Sequence, residues 1–272
     1  MTTLLSLLST IRARLLAALC ITALLLPTPQ LSAIEQSQQS KPLRIAVAAN
    51  FAATLELLMA DLPNKDQFQL QIISAATGTI YQQIKHGAPF DIFLSADALR
   101  PELLERAGLI LADSRKTYAY GQIALWSATD RIDSFAVLDN YHQHFAIANP
   151  DTAPYGKAAQ QALMHLSRWQ PLKAQLITGI NISQTFQQVR SQAVPLGIVA
   201  YSQLLMNNYQ GLLIPTSYYQ PIAQQLVILK SSQQQALAEK ITAFILQANS
   251  QEKLQQLGYL PANTQVAIEG HH

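Results

Sequence analysis

The feature that most constrains the fold is a regular alternation of apolar runs and helical patterns between Leu43 and Ala107. Each of three strand-like runs is followed by a segment with helical spacing, which gives the order βαβαβα. Such an order predicts a parallel sheet with helices on its faces. The predicted strands are 43–48, 69–75 and 90–94, and the predicted helices are 51–61, 79–86 and 98–107.

A longer β-prone run at Thr117–Ser127 has no long helix after it, and it predicts a crossover out of a first lobe. A second βα series follows, and an apolar strand at Ile222–Leu229 returns the chain before two C-terminal helices. We therefore predict an α/β fold of two lobes, each a mainly parallel sheet flanked by helices, with a ligand in the cleft between them. Lobe 1 is assigned to 42–122 plus 221–268, and lobe 2 to 123–220. The remaining predicted strands are 145–148, 175–178, 196–201 and 211–215, and the remaining helices are 155–166, 183–191, 233–249 and 251–257.

The first 33 residues have the pattern of a secretory signal peptide. Arg12 and Arg14 precede an apolar core at Leu15–Leu26, and Leu31-Ser32-Ala33 is a plausible cleavage site. The alternative is a membrane anchor, but the apolar run is short for a bilayer span. A lipid anchor on Cys20 is a further alternative, disfavoured because Leu19 before it is too large for the usual processing site. We expect a periplasmic protein.

The charge balance argues against nucleic-acid and membrane-surface partners. The whole chain has 18 Lys+Arg and 16 Asp+Glu, a net charge of +2. Removal of 1–33 takes away two Arg and no acid, which leaves 16 bases and 16 acids. A basic footprint for nucleic acid is therefore not expected. Since the one Cys lies in the leader, disulfide and thiolate chemistry is not expected in the mature chain.

Four loops that follow predicted strands carry candidate binding residues. Ligands of open α/β sheets bind beyond the carboxyl ends of the strands. Asn50 offers a side-chain amide, Thr77 offers a hydroxyl, and Tyr155 and Ile182 begin helices with free backbone N–H groups. Converging helix N-termini form an anion site without Lys or Arg. The alternative for Asn50 and Thr77 is that each is an ordinary helix N-cap.

The motifs around these loops resemble one family over Leu43 to about Leu260. In its motifs and their order, the chain is similar to the periplasmic molybdate-binding proteins of ABC transporters, which have a type II periplasmic binding protein fold. The strings that carry the resemblance are Ala48-Ala49-Asn50, Ala76-Thr77-Gly78-Thr79, Gly87 to Phe93 with Ser95-Ala96-Asp97, Asn149-Pro150 with Ala153-Pro154-Tyr155-Gly156, Pro195 to Val199, and Tyr219 to Ala223.

The resemblance implies capture of molybdate or tungstate as a tetrahedral dianion held by neutral hydrogen bonds. Molybdenum would enter only as this oxyanion, with no cofactor, and the partner would be the membrane permease of a molybdate ABC transporter. We expect a monomer without enzymatic activity. Ala49 is close enough to contribute, whereas Ala200 replaces a Tyr that some members direct at the anion, and Thr77 replaces the commoner Ser. The implied ligand residues are Asn50, Thr77, Tyr155 and Ile182.

Two other kinds of function are weighed against this interpretation. One is binding of another oxyanion, such as sulfate or phosphate. Monoprotonated phosphate needs an acceptor, and none of the candidate binding residues of the four loops is acidic. The other is a hydrolase or transferase, which would need an activated nucleophile with a base in reach.

Two pairs of titratable residues could be mistaken for chemical groups of a site. Asp91 and Asp97 resemble a carboxylate pair, but Asp97 is interpreted as a helix cap. His142 and His144 have metal-ligand spacing without an evident third ligand, and they are interpreted as part of a solvated loop. We therefore expect no metal-ion site in the protein chain itself.

Overall fold

The structure is a computed structural model that describes residues 41–264. The predicted signal peptide, Cys20 and residues 265–268 of the predicted first lobe lie outside the described residues. Ten strands form two five-stranded sheets. The strands are β1 Leu43–Ala48, β2 Leu70–Ala75, β3 Ile92–Leu94, β4 Lys116–Gly121, β5 Ile123–Trp126, β6 Phe145–Ala148, β7 Leu176–Gly179, β8 Leu196–Ala200, β9 Leu212–Leu213 and β10 Ile222–Ile228.

The helices occupy most of the connections between strands. Pro154 occupies the first turn of the fourth helix, where its missing N–H costs no intrahelical bond. Gly87, at φ 81°, follows the second helix in a left-handed conformation that glycine adopts without strain. The α-helices are α1 Ala52–Ala60, α2 Thr77–Lys85, α3 Leu99–Arg106, α4 Pro154–His165, α5 Trp169–Leu172, α6 Ile182–Arg190, α7 Tyr201–Met206, α8 Gln235–Leu246 and α9 Ala248–Gln256.

The first sheet has the strand order β2-β1-β3-β10-β4. Strand β1 pairs in parallel with β2 and β3, so that Val47 lies opposite Ser74 on one side and Leu94 on the other. Strand β10 is antiparallel to both β3 and β4. We call this sheet, with α1–α3, α8 and α9, the first lobe.

The second sheet repeats this arrangement with the strand order β7-β6-β8-β5-β9. Strand β6 pairs in parallel with β7 and β8, and β5 is antiparallel to β8 and β9. We call this sheet, with α4–α7, the second lobe. In both lobes the carboxyl ends of the parallel strands therefore meet at one edge, where a ligand site is expected.

The chain passes between the sheets twice. Strand β4 ends at Gly121 and β5 begins at Ile123, so one residue separates strands that belong to different sheets. The return lies between the end of β9 at Leu213 and the start of β10 at Ile222. The run predicted at Thr117–Ser127 is thus two strands on either side of a crossover.

Each lobe has an apolar core, and apolar contact continues from one lobe to the other. The first core packs side chains of β1, β3 and β10 against α1 and α8. The core built on β5, β6 and β8 also includes Ala48, Ala49 and Ala96 of the first lobe. Across residues 41–264 we find no helix with the length and apolar character needed to span a bilayer.

The predicted two-lobe α/β architecture is confirmed, with one difference in the sheets. The sheets are mixed rather than mainly parallel, since each has two parallel and two antiparallel strand pairs. The reason is the crossover, because β10 and β5 enter their sheets from the other lobe and run against their neighbours. The short helices α5 and α7 were not predicted, since four and six residues are too few to establish a helical period.

Candidate functional site

Four turns at the carboxyl ends of β1, β2, β6 and β7 meet around one small cavity between the lobes. The cavity has about 10 Å³ of space for the centre of a water-sized sphere. All the residues predicted from the four loops line it, and Ala49 does so too. The lining residues are Ala48, Ala49, Asn50, Ala76, Thr77, Ala96, Ala153, Pro154, Tyr155, Asn181 and Ile182.

Backbone N–H groups from both lobes are free at this cavity. Thr77 and Ile182 are the first residues of α2 and α6, and Tyr155 is the second residue of α4. Their N–H groups, and that of Asn50 after β1, make no hydrogen bond within residues 41–264. The first N–H groups of a helix lack an intrahelical acceptor and carry the positive end of the helix dipole. The cavity is therefore lined by donors that an anion can satisfy.

The Thr77 hydroxyl provides a further donor because of the bond that it already makes. Its Oγ1 accepts a hydrogen bond of 3.1 Å from the backbone N–H of Ala96. This bond uses a lone pair and leaves the hydroxyl hydrogen without an acceptor among the described residues. Thr77 is 1 % exposed, so this hydrogen is available only to an occupant of the cavity.

The Asn50 side chain is hydrogen bonded to both lobes. Its Nδ2 donates to Gln224 Oε1 at 2.6 Å and to Tyr155 Oη at 3.2 Å. The sequence predicts that this amide donates into the cavity, but in the structure both of its hydrogens have protein acceptors. The backbone N–H is therefore the free donor that Asn50 presents here.

Ala49 contributes to the wall of the cavity without a free polar group. Its N–H donates to Ala75 O at 3.0 Å, and its carbonyl accepts a bond of 2.8 Å from Ser183 Oγ. Any contribution of Ala49 to an occupant is thus by contact rather than by hydrogen bonding.

Tyr155 extends from the second lobe into the first. A Cβ placed on Gly121 of β4 would lie only 2.2 Å from Tyr155 Oη, so this glycine gives the phenol its room. Burial raises the pKa of Tyr155 well above its ordinary value, and the hydroxyl remains a neutral donor. The same cause raises the pKa of the buried Tyr118 and Tyr259 in the first lobe.

The cavity wall is uncharged. None of the described lining residues is Lys, Arg, His, Asp or Glu. A guanidinium group lies close by, since Arg100 Nη2 is 3.3 Å from the point where a Gly78 Cβ would stand. Arg100 forms an ion pair with Asp97. The local charges at this edge therefore balance.

Direct contacts join the two lobes beside the cavity. The N–H of Gly78 donates to Thr152 O at 2.8 Å, and Arg100 Nη2 donates to Asp151 O at 2.9 Å. On another side Ser183 Oγ donates to Ala49 O. These bonds hold the four turns together, so the structure has the cleft closed.

The acidic residues singled out in the sequence have structural roles. Asp97 Oδ1 accepts the N–H of Arg100 at 3.0 Å, which caps α3 as predicted. Asp91 is also buried, where it accepts bonds from the Arg44 N–H at 2.8 Å and from Ser232 Oγ at 2.6 Å. The two carboxylates therefore do not form a catalytic pair.

The other candidates lie apart from the cavity. Within residues 41–264 no group of three or more His, Cys, Asp or Glu could hold a metal ion, and this range includes His142 and His144. Ala200 is fully buried at the end of β8 and is not part of the cavity wall.

Three residues near the cavity were not predicted individually. Ser183 bridges to Ala49, and Gln203 Nε2 donates to Ser183 Oγ at 3.0 Å. Gln224 holds the Asn50 amide from β10. The available signal for Gln224 was a pair of polar residues, Gln224 and Gln225, inside a strand whose other residues are apolar. The partner of Gln224 is 174 positions away, and no local pattern identifies it.

Comparison with known proteins gives consistent matches over most of the chain. A family model described as "Bacterial extracellular solute-binding protein" matches residues 43–260. The molybdate-binding protein ModA of Azotobacter vinelandii is 36% identical over 228 residues, which are 81% of this chain and 90% of that protein. The protein of the same name from Rhodobacter capsulatus is 36% identical over 218 residues, 79% of this chain and 86% of that one. The solved structure of the periplasmic molybdate-binding protein of Azotobacter vinelandii matches with a TM-score of 0.76 at 35% identity, covering 80% of this chain and 98% of that one.

Proposed function

Since this chain belongs to the bacterial extracellular solute-binding proteins, we propose that it captures molybdate, or tungstate, outside the cytoplasm for an ABC importer. The observation that carries the proposal is the uncharged cavity lined by free N–H groups from both lobes. Two relatives named for molybdate binding, each 36% identical over most of their length, supply the choice of anion.

The chemistry of the wall fits a fully ionised oxyanion. Each oxygen of a tetrahedral dianion is only an acceptor, so it is satisfied by N–H and O–H groups alone. The donors are the backbone N–H groups of Asn50, Thr77, Tyr155 and Ile182, with the hydroxyl of Thr77, and Ala49 completes the wall. Molybdenum makes no bond to the protein and is held only through its oxygens.

A carboxylate at the cavity would favour a protonated anion, because it can accept the anion's hydrogen. Asp97 is the acid nearest in sequence to a lining residue, and it is held by Arg100 and the cap of α3. Monohydrogen phosphate therefore finds no acidic acceptor in the described wall. Sulfate has the same charge and shape as molybdate, and the discriminator against it is size.

The cellular setting follows from the same proposal. The signal at 1–33 would export the chain to the periplasm, where it would act as a monomer. Lobes at 42–122 plus 221–268 and at 123–220 would close on the anion, because only closure brings all donors to it. The closed form would then deliver the anion to a membrane permease.

Calorimetric titration of the purified protein tests the proposal. Molybdate and tungstate are expected to bind tightly at one site for each chain, sulfate much more weakly, and phosphate not measurably. His142→Ala serves as a control variant, since this residue lies outside the cavity wall. Equal competition by sulfate would refute the choice of molybdate, and turnover of a substrate without stoichiometric capture would refute a binding protein.

A further inference from the structure

We propose that Gln224 is a positioning residue for anion binding, which acts by setting the orientation of the Asn50 side-chain amide. The inference rests on the proposed function, since it concerns how the same site presents its donors. Gln224 lies in β10, the strand that returns the chain from the second lobe, and it is fully buried. It does not line the cavity.

The present hydrogen bonds leave Asn50 poorly arranged for an anion. Both hydrogens of Nδ2 are given to Gln224 Oε1 and Tyr155 Oη. The atom that remains is Oδ1, a carbonyl acceptor, and an acceptor repels the oxygen of an oxyanion. In this orientation the Asn50 side chain has no hydrogen to offer to an anion.

The same arrangement leaves two donors without acceptors. Gln224 Nε2 is buried and makes no hydrogen bond within the described residues. The hydroxyl hydrogen of Tyr155 also has no acceptor among the described residues, since the hydrogen bond that its Oη makes there is accepted from Asn50. Buried donors without partners are destabilising, so a rotation that pairs them costs the network no net hydrogen bond.

Rotation of both amides by 180° pairs these donors without moving any other heavy atom. Gln224 Nε2 then donates to Asn50 Oδ1 over the same 2.6 Å, and Tyr155 Oη donates to Oδ1 over the same 3.2 Å. Nδ2 of Asn50 is released as a donor for the cavity. One acceptor, Gln224 Oε1, is left unpaired in place of the two donors.

A neighbouring tyrosine is compatible with the rotated state. Tyr118 Oη lies 3.5 Å from Gln224 Oε1 and donates to Ser95 O at 3.1 Å. Its oxygen can therefore accept from Gln224 once Nε2 takes the place of Oε1. An anion in the cavity would accept from Asn50 Nδ2 and thereby favour the rotated pair, which couples ligand binding to the orientation of Gln224.

The chain offers a matched control at the next residue. Gln225 also carries a hydrogen-bonded amide, but its bonds run to Thr117 Oγ1 at 3.1 Å and to Arg115 Nη1 at 3.1 Å. Among the described residues Gln225 does not line the cavity, and its side-chain hydrogen bonds do not involve Asn50. Gln224→Met and Gln225→Met thus replace the same side chain by the same residue at neighbouring positions of one strand. Only Gln224→Met removes a partner of the Asn50 amide.

The experiment is a double-mutant cycle in molybdate affinity, measured by calorimetry. Asn50→Ala removes a hydrogen bond to a charged group and should weaken binding about ten- to a hundredfold. Gln224→Met removes only the partner that orients that amide and should weaken binding about tenfold, the lower end of the same range. Gln225→Met should bind like the wild type. Once Asn50 is Ala, Gln224→Met should weaken binding by less than about twofold, because the group that it positions is gone.

A second measurement needs no variant that must fold. In ¹⁵N-labelled wild-type protein, the side-chain amide resonances of both Asn50 and Gln224 should shift on addition of molybdate, since both exchange partners. An unshifted Gln224 amide would overturn the inference, as would a Gln224→Met effect that persists in Asn50→Ala. If the wild type binds molybdate and Gln224→Met binds it with the same affinity, this inference alone is overturned. Failure of the wild type to bind any of the oxyanions would overturn the proposed function as well.

Discussion

Replacement of Thr77 by Val separates the two hydrogen bonds that its hydroxyl can make. Val keeps the branched shape, so the packing of the first turn of α2 is preserved. The hydroxyl hydrogen, which has no acceptor among the described residues, is lost to the cavity. The lone pair that accepts the Ala96 N–H at 3.1 Å is lost as well. One substitution thus affects both binding and folding, by separate atoms.

The two losses have different magnitudes and appear in different measurements. A hydrogen bond to a charged group contributes about 1.5–3 kcal/mol, so affinity for molybdate should fall about ten- to a hundredfold. Ala96 is 1 % exposed, and its N–H would be left buried without an acceptor. That loss should lower the free energy of unfolding by about 1–3 kcal/mol.

Calorimetric titration measures the first loss, and urea unfolding of the anion-free protein measures the second. Thr77→Ser is the control, since it keeps the hydroxyl and should bind within a few-fold of the wild type. If Thr77→Val binds molybdate as tightly as the wild type while its unfolding free energy falls, the hydroxyl faces only Ala96. The assignment of Thr77 as a ligand would then be wrong.

Three further outcomes follow from the same geometry. Solution scattering should give a smaller radius of gyration with saturating molybdate than without it, because donors from both lobes meet only in the closed form. Identical scattering curves would mean either that the site lies within one lobe or that the anion-free protein is already closed. Affinity should be unaffected by a chelator and by moderate salt, because the described wall carries no charged side chain and short-range dipoles are screened little; loss of binding on chelation would direct attention to His142 and His144. The stability contributed by four buried tyrosines should be fully present below pH 10 and fall as pH rises further, because burial raises their phenol pKa in the folded state, that of Tyr219 to about 12; unchanged circular dichroism while these phenols ionise near pH 10 would contradict it. The four tyrosines are Tyr118, Tyr155, Tyr219 and Tyr259.

The sequence predicted the architecture well because local patterns carry it. Apolar strands such as Leu43–Ala48 are each followed, after a short turn, by a helix, and this order determines which edge of the sheet receives the loops. The crossover at Thr117–Ser127 was predicted from a β run without a following helix. The break at Gln122 could not be placed, because β4 and β5 form one continuous β-prone run and the boundary between them is defined only by the sheet that each joins.

The candidate site was predictable where a turn follows a strand, and less so where the contact is between distant segments. Thr77 and Ile182 stand at helix starts, and position alone implies a free N–H. The orientation of the Asn50 amide depends on Gln224 and Tyr155, which are 174 and 105 residues away. The direction of a side-chain amide is decided by such partners, and no periodicity in the sequence reports them.

Three of the bonds that join the lobes beside the cavity end on main-chain carbonyls, at Ala49, Asp151 and Thr152. A carbonyl is present whatever side chain its residue bears. Substitutions at these three positions therefore leave the acceptor of each hydrogen bond in place. Among the side chains, only the donors Arg100 and Ser183 can be substituted so that a bond is lost. Homologues can thus differ in sequence at these positions and still close in the same way. The course of the backbone, more than the identity of the residues, specifies the closed conformation.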